Sequence, residues 1–564
     1  MRLLRARIDQ VGGSSGLLNG LDIEVRRRSE ADPSTFQPLC LIGPNGSGKS
    51  QFLQLIAEFM QAALHPAVPA QERREVDPSS EFELTYLLHQ EGDAPLEVEV
   101  AGTKEAISIR SRREGHEWSE WELMNPAKET LLPSRVVAYT SGENETLSLP
   151  FLASRASYAD EITTMALPKR TPNRKRGGSR SGRPSFYDAN PAGLRGETPR
   201  LMLIDYSTHL EVLVANLMLG DPEQRTFLLK NVHLRDLRSM RCVVSLNHRA
   251  VRNSVKKRED SRRKGVQLTE ELEGYIDALS ACATTSHFDA ELERYTFDFW
   301  VDEETRKAFS TTFGSAFQCY LAFHKLALLN DLAISRDARL RFERDVERRR
   351  FATRLPEPPD EDKVFRIEEL TFRPLDEQGR GAVDYVSLSD GEHQLVQILG
   401  VFAMIDEPNV LFLLDEPESH LNPQWRVSFM QDLAALPTAR GARAVDGNLS
   451  AAQEVLITTH APFVPSDTPR SRILIFRRAE SDEEKSSSAV MVTRPDIQTF
   501  GAKYDEILEA CFQVYPPISA QPREVIGELM QSQDPEAVEE GLKQLGPSIQ
   551  KIKLIDHLND IKGD

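Results

Sequence analysis

The run Gly43-Pro44-Asn45-Gly46-Ser47-Gly48-Lys49-Ser50 constrains this chain more than any other feature of its sequence. It follows a short continuous apolar run, Pro38-Leu39-Cys40-Leu41-Ile42, and precedes Phe52, Leu53, Leu55, Ile56, Phe59 and Met60 at helical spacing. Buried strand, glycine-rich loop, then helix is the context that the pattern G-x-x-x-x-G-K-[ST] demands. The glycines let backbone N–H groups curl around a polyphosphate at a helix N-terminus, whose dipole favours anions. Lys49 then pairs with the β and γ oxygens, Ser50 is placed to bind Mg²⁺, and the cradle extends to Gln51. A turn that only caps a helix is the competing reading; the flanking strand and helix count against it.

A second constellation lies far along the chain. Val410-Leu411-Phe412-Leu413-Leu414-Asp415-Glu416 is an apolar strand run ending in two carboxylates, a pattern that sets an acid at the carboxyl edge of a parallel sheet beside the phosphates. Asp415 is expected in the Mg²⁺ shell. Glu416 is expected to polarise an attacking water, because γ-phosphate hydrolysis needs an aligned nucleophile more than covalent chemistry. Leu456-Ile457-Thr458-Thr459-His460 reads as a further strand ending in a histidine, and Pro423 suits the first turn of a helix between the two.

At 564 residues the chain exceeds what one hydrophobic core usually supports, so two or more lobes are expected. Forty per cent hydrophobic and 28% charged residues fit an ordinary globular protein. Its five cysteines are scattered and free of C-x-x-C spacing, which argues against disulfides or zinc and for a reducing cytoplasm. Arg2, Arg5 and Arg7 interrupt the start of the chain, and no run approaches the roughly 18 apolar residues of a membrane span. A net charge of -18 argues against a wholly basic surface, although residues 168–200 are rich in Arg and Lys with few acids.

Alternating segments at residues 83–88, 96–100 and 106–109 predict an antiparallel side sheet. From about residue 158 to 354 the pattern reads as helical, with basic clusters at Lys256-Lys257-Arg258, Arg262-Arg263-Lys264 and Arg348-Arg349-Arg350. Leu355-Pro356-Glu357-Pro358-Pro359 marks a linker, after which strands resume. Residues 1–157 and 363–500 are thus expected to form two halves of one head, 158–355 an inserted helical lobe with basic segments, and 501–564 a helical C-terminal segment.

Ser387-Leu388-Ser389-Asp390-Gly391-Glu392 resembles the ABC signature LSGGQ, with Asp390 and Glu392 where the family has Gly and Gln. In that family the signature serine and its helix N-terminus touch the γ-phosphate held by the opposite subunit. The resemblance therefore implies that Ser389, Asp390, Gly391 and Glu392 complete the site of a second copy. His460 stands where the family keeps a switch histidine that contacts the γ-phosphate, which makes Lys49, Glu416 and His460 the implied catalytic set. Pro417-Glu418-Ser419-His420-Leu421-Asn422-Pro423 is similar to the dimer-contacting D-loop. Across residues 1–150 and 363–480 the chain resembles the ABC branch that includes the SMC, RecF and OLD proteins. Ala138-Tyr139-Thr140-Ser141-Gly142-Glu143-Asn144-Glu145, with Thr499-Phe500-Gly501-Ala502 and Pro516-Pro517-Ile518-Ser519, is similar to bacterial anti-phage ATPases, the restriction-system-associated AAA family and the Septu type. The metal-contacting glutamine of ABC proteins has no counterpart in residues 141–145, where Asn144 or Glu143 would have to substitute.

The expected fold class is therefore α/β, an ABC-type P-loop NTPase head with an antiparallel side sheet plus an inserted helical lobe. The expected function is ATP hydrolysis with ATP and Mg²⁺, by a homodimer or higher homo-oligomer, in anti-phage defence. OLD proteins carry a Toprim nuclease after the ATPase, and since only the acidic run Ser481-Asp482-Glu483-Glu484 follows His460, without the Toprim spacing of acids, the resemblance implies a separate effector protein, expected to be a nuclease. Two alternatives stand beside this: a RecF/SMC-like DNA repair or recombination ATPase, and an ATP-regulated scaffold with little turnover. The basic insertion is either a DNA-guiding surface or a solvated loop, and only Phe186-Tyr187 offers aromatics for base stacking.

Overall fold

A computed structural model describes residues 1–11, 16–64, 80–103, 106–121, 130–141, 146–148, 150–151, 199–205, 208–248, 265–335, 337, 338, 341, 344, 358–375, 381–438, 441–445, 447–479 and 489–563. The basic stretch 168–198, the three Lys/Arg clusters, the loop residues 142–145 and the acidic run 481–484 lie outside them.

The continuous apolar runs pair with one another. Leu39–Ile42 lies between Glu454–Thr458 and Ile473–Arg478; beyond Glu454–Thr458 follow Val410–Asp415, Arg135–Thr140 and Leu201–Ile204. These six strands are parallel, and Val490–Thr493 adds an antiparallel edge. Strands apolar on both faces belong in such a sheet because each face must be covered. Leu41, Leu411, Leu413 and Leu456 face one apolar cluster, while Cys40, Ile42, Phe412, Leu414 and Ile457 face another. Register sets Asp415 level with Thr140 and Thr458, and Thr458 level with Leu41, so the strand ends that carry the motifs form one edge.

On the first face lies the helix Lys49–Leu64, backed by a six-stranded antiparallel sheet in the order Leu21–Glu24, Arg2–Gln10, Glu81–Leu88, Leu96–Gly102, Ile107–Arg112, Ser119–Trp121. Phe52, Leu53, Ile56, Phe59 and Met60 of that helix are buried, each stabilising the layer by about 1.5–3 kcal/mol. Phe59 stacks on Phe82 of the antiparallel sheet, ring centroids 3.8 Å apart.

The opposite face corrects the expectation of a helical lobe. Helices His209–Leu219, Ala316–Ala327 and Asp390–Met404 pack there, but so does a five-stranded antiparallel sheet: Thr285–Asp289, Arg294–Trp300, Leu234–Ser245, Phe365–Pro374, Val383–Asp384. Leu201–Ile204, also from the presumed insertion, belongs to the central sheet. The misleading stretch is Leu234–Ser245, where Leu234, Leu237 and Met240 recur every third residue as on a helix. Register shifts against Phe365–Pro374, between Leu234 and Asp236 and between Leu237 and Ser239, insert extra residues that bring all three to the buried side. Phe365–Pro374 comes from beyond the proline-rich linker, so the two sides of that linker share one sheet and one apolar cluster.

Helices Ala520–Gln531, Pro535–Gln544 and Ile549–Lys562 close around a small separate core of Val538, Leu554 and Leu558. Among the described residues no helix is long and apolar enough to cross a membrane.

Candidate nucleotide site

The loop between Leu39–Ile42 and Lys49–Leu64 bends through Gly43 (φ 139°), Gly46 (φ 71°) and Gly48 (φ 98°), conformations that side chains resist. Gly43 is the tightest: a Cβ there would stand 2.1 Å from the Phe476 carbonyl oxygen of the neighbouring strand. Gly43→Ala is therefore expected to destabilise the protein by about 3 kcal/mol in denaturant unfolding, from overpacking and backbone strain together. Gly46→Ala, whose Cβ would meet only the Arg478 guanidinium at 3.5 Å, should cost about 1 kcal/mol. Equal midpoints for the two variants would contradict this difference.

Pro44, Asn45 and Gly46 are exposed, whereas Ser47, Gly48 and Lys49 are buried and Ser50 and Gln51 half-buried. Ser47 Oγ is buried without a hydrogen-bond partner, an orphan inside a loop shaped for oxygen ligands. Lys49 Nζ donates to the carbonyls of Gly43 (2.9 Å) and Pro44 (3.1 Å). Burial pulls its pKa down to about 8, opposed by Glu416 and Asp415, so it remains largely a cation at neutral pH. The Arg478 Nε–H donates to the Gly46 carbonyl at 3.1 Å and braces the loop from outside.

Ser50 Oγ donates to Asp415 Oδ1 at 2.9 Å, and Thr458 Oγ1 donates to the same oxygen. Burial raises the pKa of Asp415, while these two hydrogen bonds act against the rise. A hydroxyl and a carboxylate side by side are the hard oxygen donors that suit Mg²⁺. Glu416, next along the chain, adopts a left-handed backbone (φ 49°), fixed by its N–H donating to Thr458 O (3.2 Å) and Thr458 Oγ1 (3.1 Å). Such strain concentrates at functional sites. His460 Nε2 lies 3.1 Å from Glu416 Oε1 and holds that carboxyl below the usual range, against partial burial. Gly43 to Ser50, Asp415, Glu416 and His460 are thus brought to one sheet edge.

Ser389 to Glu392 engage other groups within this chain. Ser389 caps the helix Asp390–Met404: its N–H and Oγ both donate to Glu392 Oε2 (2.7 and 2.8 Å), and Glu392 N–H donates back to Ser389 Oγ at 3.4 Å. Glutamate in place of glutamine thus completes a capping box. Ser389 and Asp390 are exposed at the helix N-terminus. Gly391 lies beneath the following loop, where a Cβ would stand 2.8 Å from the His420 carbonyl oxygen. Arg426 clamps that loop by donating to the carbonyls of Ser419 (2.6 Å) and Leu421 (2.7 Å).

Sequence reasoning singled out Asp415, Glu416 and His460 but missed the groups that brace the site: Thr458 at Asp415 and Glu416, Thr459 at the turn carrying His460, Arg426 at the Ser419 and Leu421 carbonyls, and Arg478 at the phosphate loop. The Thr-Thr doublet ahead of His460 was the available signal, since polar residues at the end of a buried strand need partners. Ser141 lies just past Arg135–Thr140, at the same sheet edge.

Residues 287–467, under half of the chain, match the AAA_21 family model, described as "AAA domain, putative AbiEii toxin, Type IV TA system". The match spans the helix Asp390–Met404, Asp415-Glu416 and His460. The chain is also similar to Protein ea59 of Escherichia phage lambda, at 35% identity over 91 residues, which is 16% of this chain and 14% of that protein. With the phosphate loop and the carboxylate strand end on one sheet edge, the family match over residues 287–467 supports a P-loop ATPase domain of the AAA/ABC type.

Proposed function

We propose that the protein hydrolyses ATP, dimerises head to tail around it, and controls a separate effector protein in bacterial anti-phage defence. The observation that carries the ATPase reading is the shared sheet edge, where Ser50 meets Asp415 at 2.9 Å and His460 meets Glu416 at 3.1 Å beside the loop lysine. Lys49 exchanges its loop carbonyls for the β and γ oxygens of ATP. Glu416, kept ionised, aligns the attacking water and accepts its proton, with His460 orienting the carboxylate. Ser50 and Asp415 would hold Mg²⁺, which when bound neutralises charge on the phosphate oxygens.

The exposed N-terminus of Asp390–Met404 supports a composite site, because a helix start with a serine cap suits an anion held by another copy. That Ser389 Oγ is tied to Glu392, with Asp390 alongside, favours slow turnover and keeps the scaffold reading as the alternative. The toxin–antitoxin description of the matched family and the similarity to a phage protein support a role in conflict between phage and host. Strong stimulation by gapped duplex DNA would instead favour the repair reading.

Mixing two inactive variants tests the composite site. Lys49→Ala and Ser389→Arg are each expected to be inactive alone. Mixed one to one, they should recover roughly a quarter of wild-type turnover, since half of the dimers are mixed and each holds one whole site. No recovery in a mixture that forms mixed dimers would overturn the head-to-tail arrangement.

A further inference from the structure

Glu418 lies two residues past Glu416, and its side chain is almost wholly enclosed at 2% exposure. One carboxyl oxygen, Oε2, is buried without a hydrogen-bond partner, as is the neighbouring Ser419 Oγ. An enclosed carboxyl is costly where an apolar side chain would pack without penalty, and burial pushes its pKa up to about 7. Its other oxygen, Oε1, accepts from Thr459 Oγ1. The same hydroxyl accepts from the Ala461 N–H at 2.9 Å, so it closes the turn that carries His460. Thr459 N–H in turn donates to the Leu41 carbonyl at 3.1 Å, two residues before Gly43. On the other side of Glu418, His420 N–H donates to Gln394 Oε1 of the signature helix at 3.1 Å, and Gly391 of that helix lies beneath the His420 carbonyl.

We propose that Glu418 is a positioning residue: through Thr459 it fixes the His460 turn to the D-loop, and so ties the His460–Glu416 contact to the signature helix of the same chain. The idea rests on the ATPase reading above. It gives the signature helix, when it meets the nucleotide of another copy, a hydrogen-bonded route to its own chain's histidine. Neither Glu418 nor Thr459 need touch the nucleotide, so their removal should slow chemistry and spare binding.

The test is steady-state ATP hydrolysis by the full chain, with nucleotide affinity read from a fluorescent ATP analogue. Glu418→Ala and Thr459→Val are expected to lower kcat by ~10- to 100-fold, the scale of a small misplacement of a catalytic group, with KM and analogue affinity within about twofold. The double variant should fall no further than the worse single one, and the conservative Glu418→Gln and Thr459→Ser should retain about a third of kcat or more. Should Glu418→Ala fail to fold, Thr459→Val and Thr459→Ser carry the test, because the first replaces the hydroxyl with a methyl of similar size and the second keeps the hydroxyl. Turnover near wild type in Thr459→Val, losses that multiply in the double variant, or a loss expressed in KM would each overturn the proposal while leaving the ATPase reading intact. An inactive wild type would overturn both.

Discussion

Glu416→Gln is expected to lower ATP turnover by about 100-fold or more and to leave ATP binding in place, the loss of a positioned general base having that size. The structure gives the reason. Asp415 is committed to Ser50 and Thr458, whereas Glu416 is half-buried at the sheet edge and held ionised by His460. Glutamine keeps the length and polarity of the side chain but cannot accept a proton from water. Because the phosphate loop is untouched, the variant should bind ATP and remain in the bound assembly. Size-exclusion chromatography with ATP should then display a larger species that persists where the wild type returns to its starting size. Turnover within about threefold of wild type would remove Glu416 from the reaction.

Lys49→Ala should fail one step earlier, losing ATP affinity by about 100-fold, the worth of one or two hydrogen bonds from a charged group. In the structure the ammonium bridges the Gly43 and Pro44 carbonyls, so it is already aimed into the loop when phosphate arrives. Isothermal titration with ATP measures the loss directly, and an unchanged melting temperature would establish that the fold survives. Affinity within about threefold of wild type would dissociate Lys49 from the phosphates. The pair of variants separates binding from chemistry: one should hold ATP without cleaving it, the other should hardly hold it.

Much of the head was legible in the sequence because its central strands are short, apolar throughout and followed by polar groups that a sheet edge collects. The run before Gly43 and the run before Asp415 are of this kind, and the parallel register sets both ends level. The five-stranded sheet was not legible. The register shifts after Leu234 and after Leu237 replace the period of two with a spacing near three, and the strand then reads as a helix. Its partner, Phe365–Pro374, lies more than a hundred residues onward, out of reach of any local pattern. At the site, side chains whose chemistry is named by a motif could be found, but those that hold them could not. Thr459 looks like an ordinary polar strand end and Glu418 like an ordinary polar loop residue until the fold brings the two together.

The strand order also governs how the protein emerges from the ribosome. Leu39–Ile42 has its neighbours in Glu454–Thr458 and Ile473–Arg478, so the phosphate-loop strand is made early and both its partners late. At about 5–20 residues per second, roughly 20 seconds to more than a minute separates the synthesis of that strand from the strands that receive it. During that interval an apolar strand with two open edges must be kept from other chains, and a nascent chain interrupted before Glu454 has a phosphate loop but neither of the strands that flank its own.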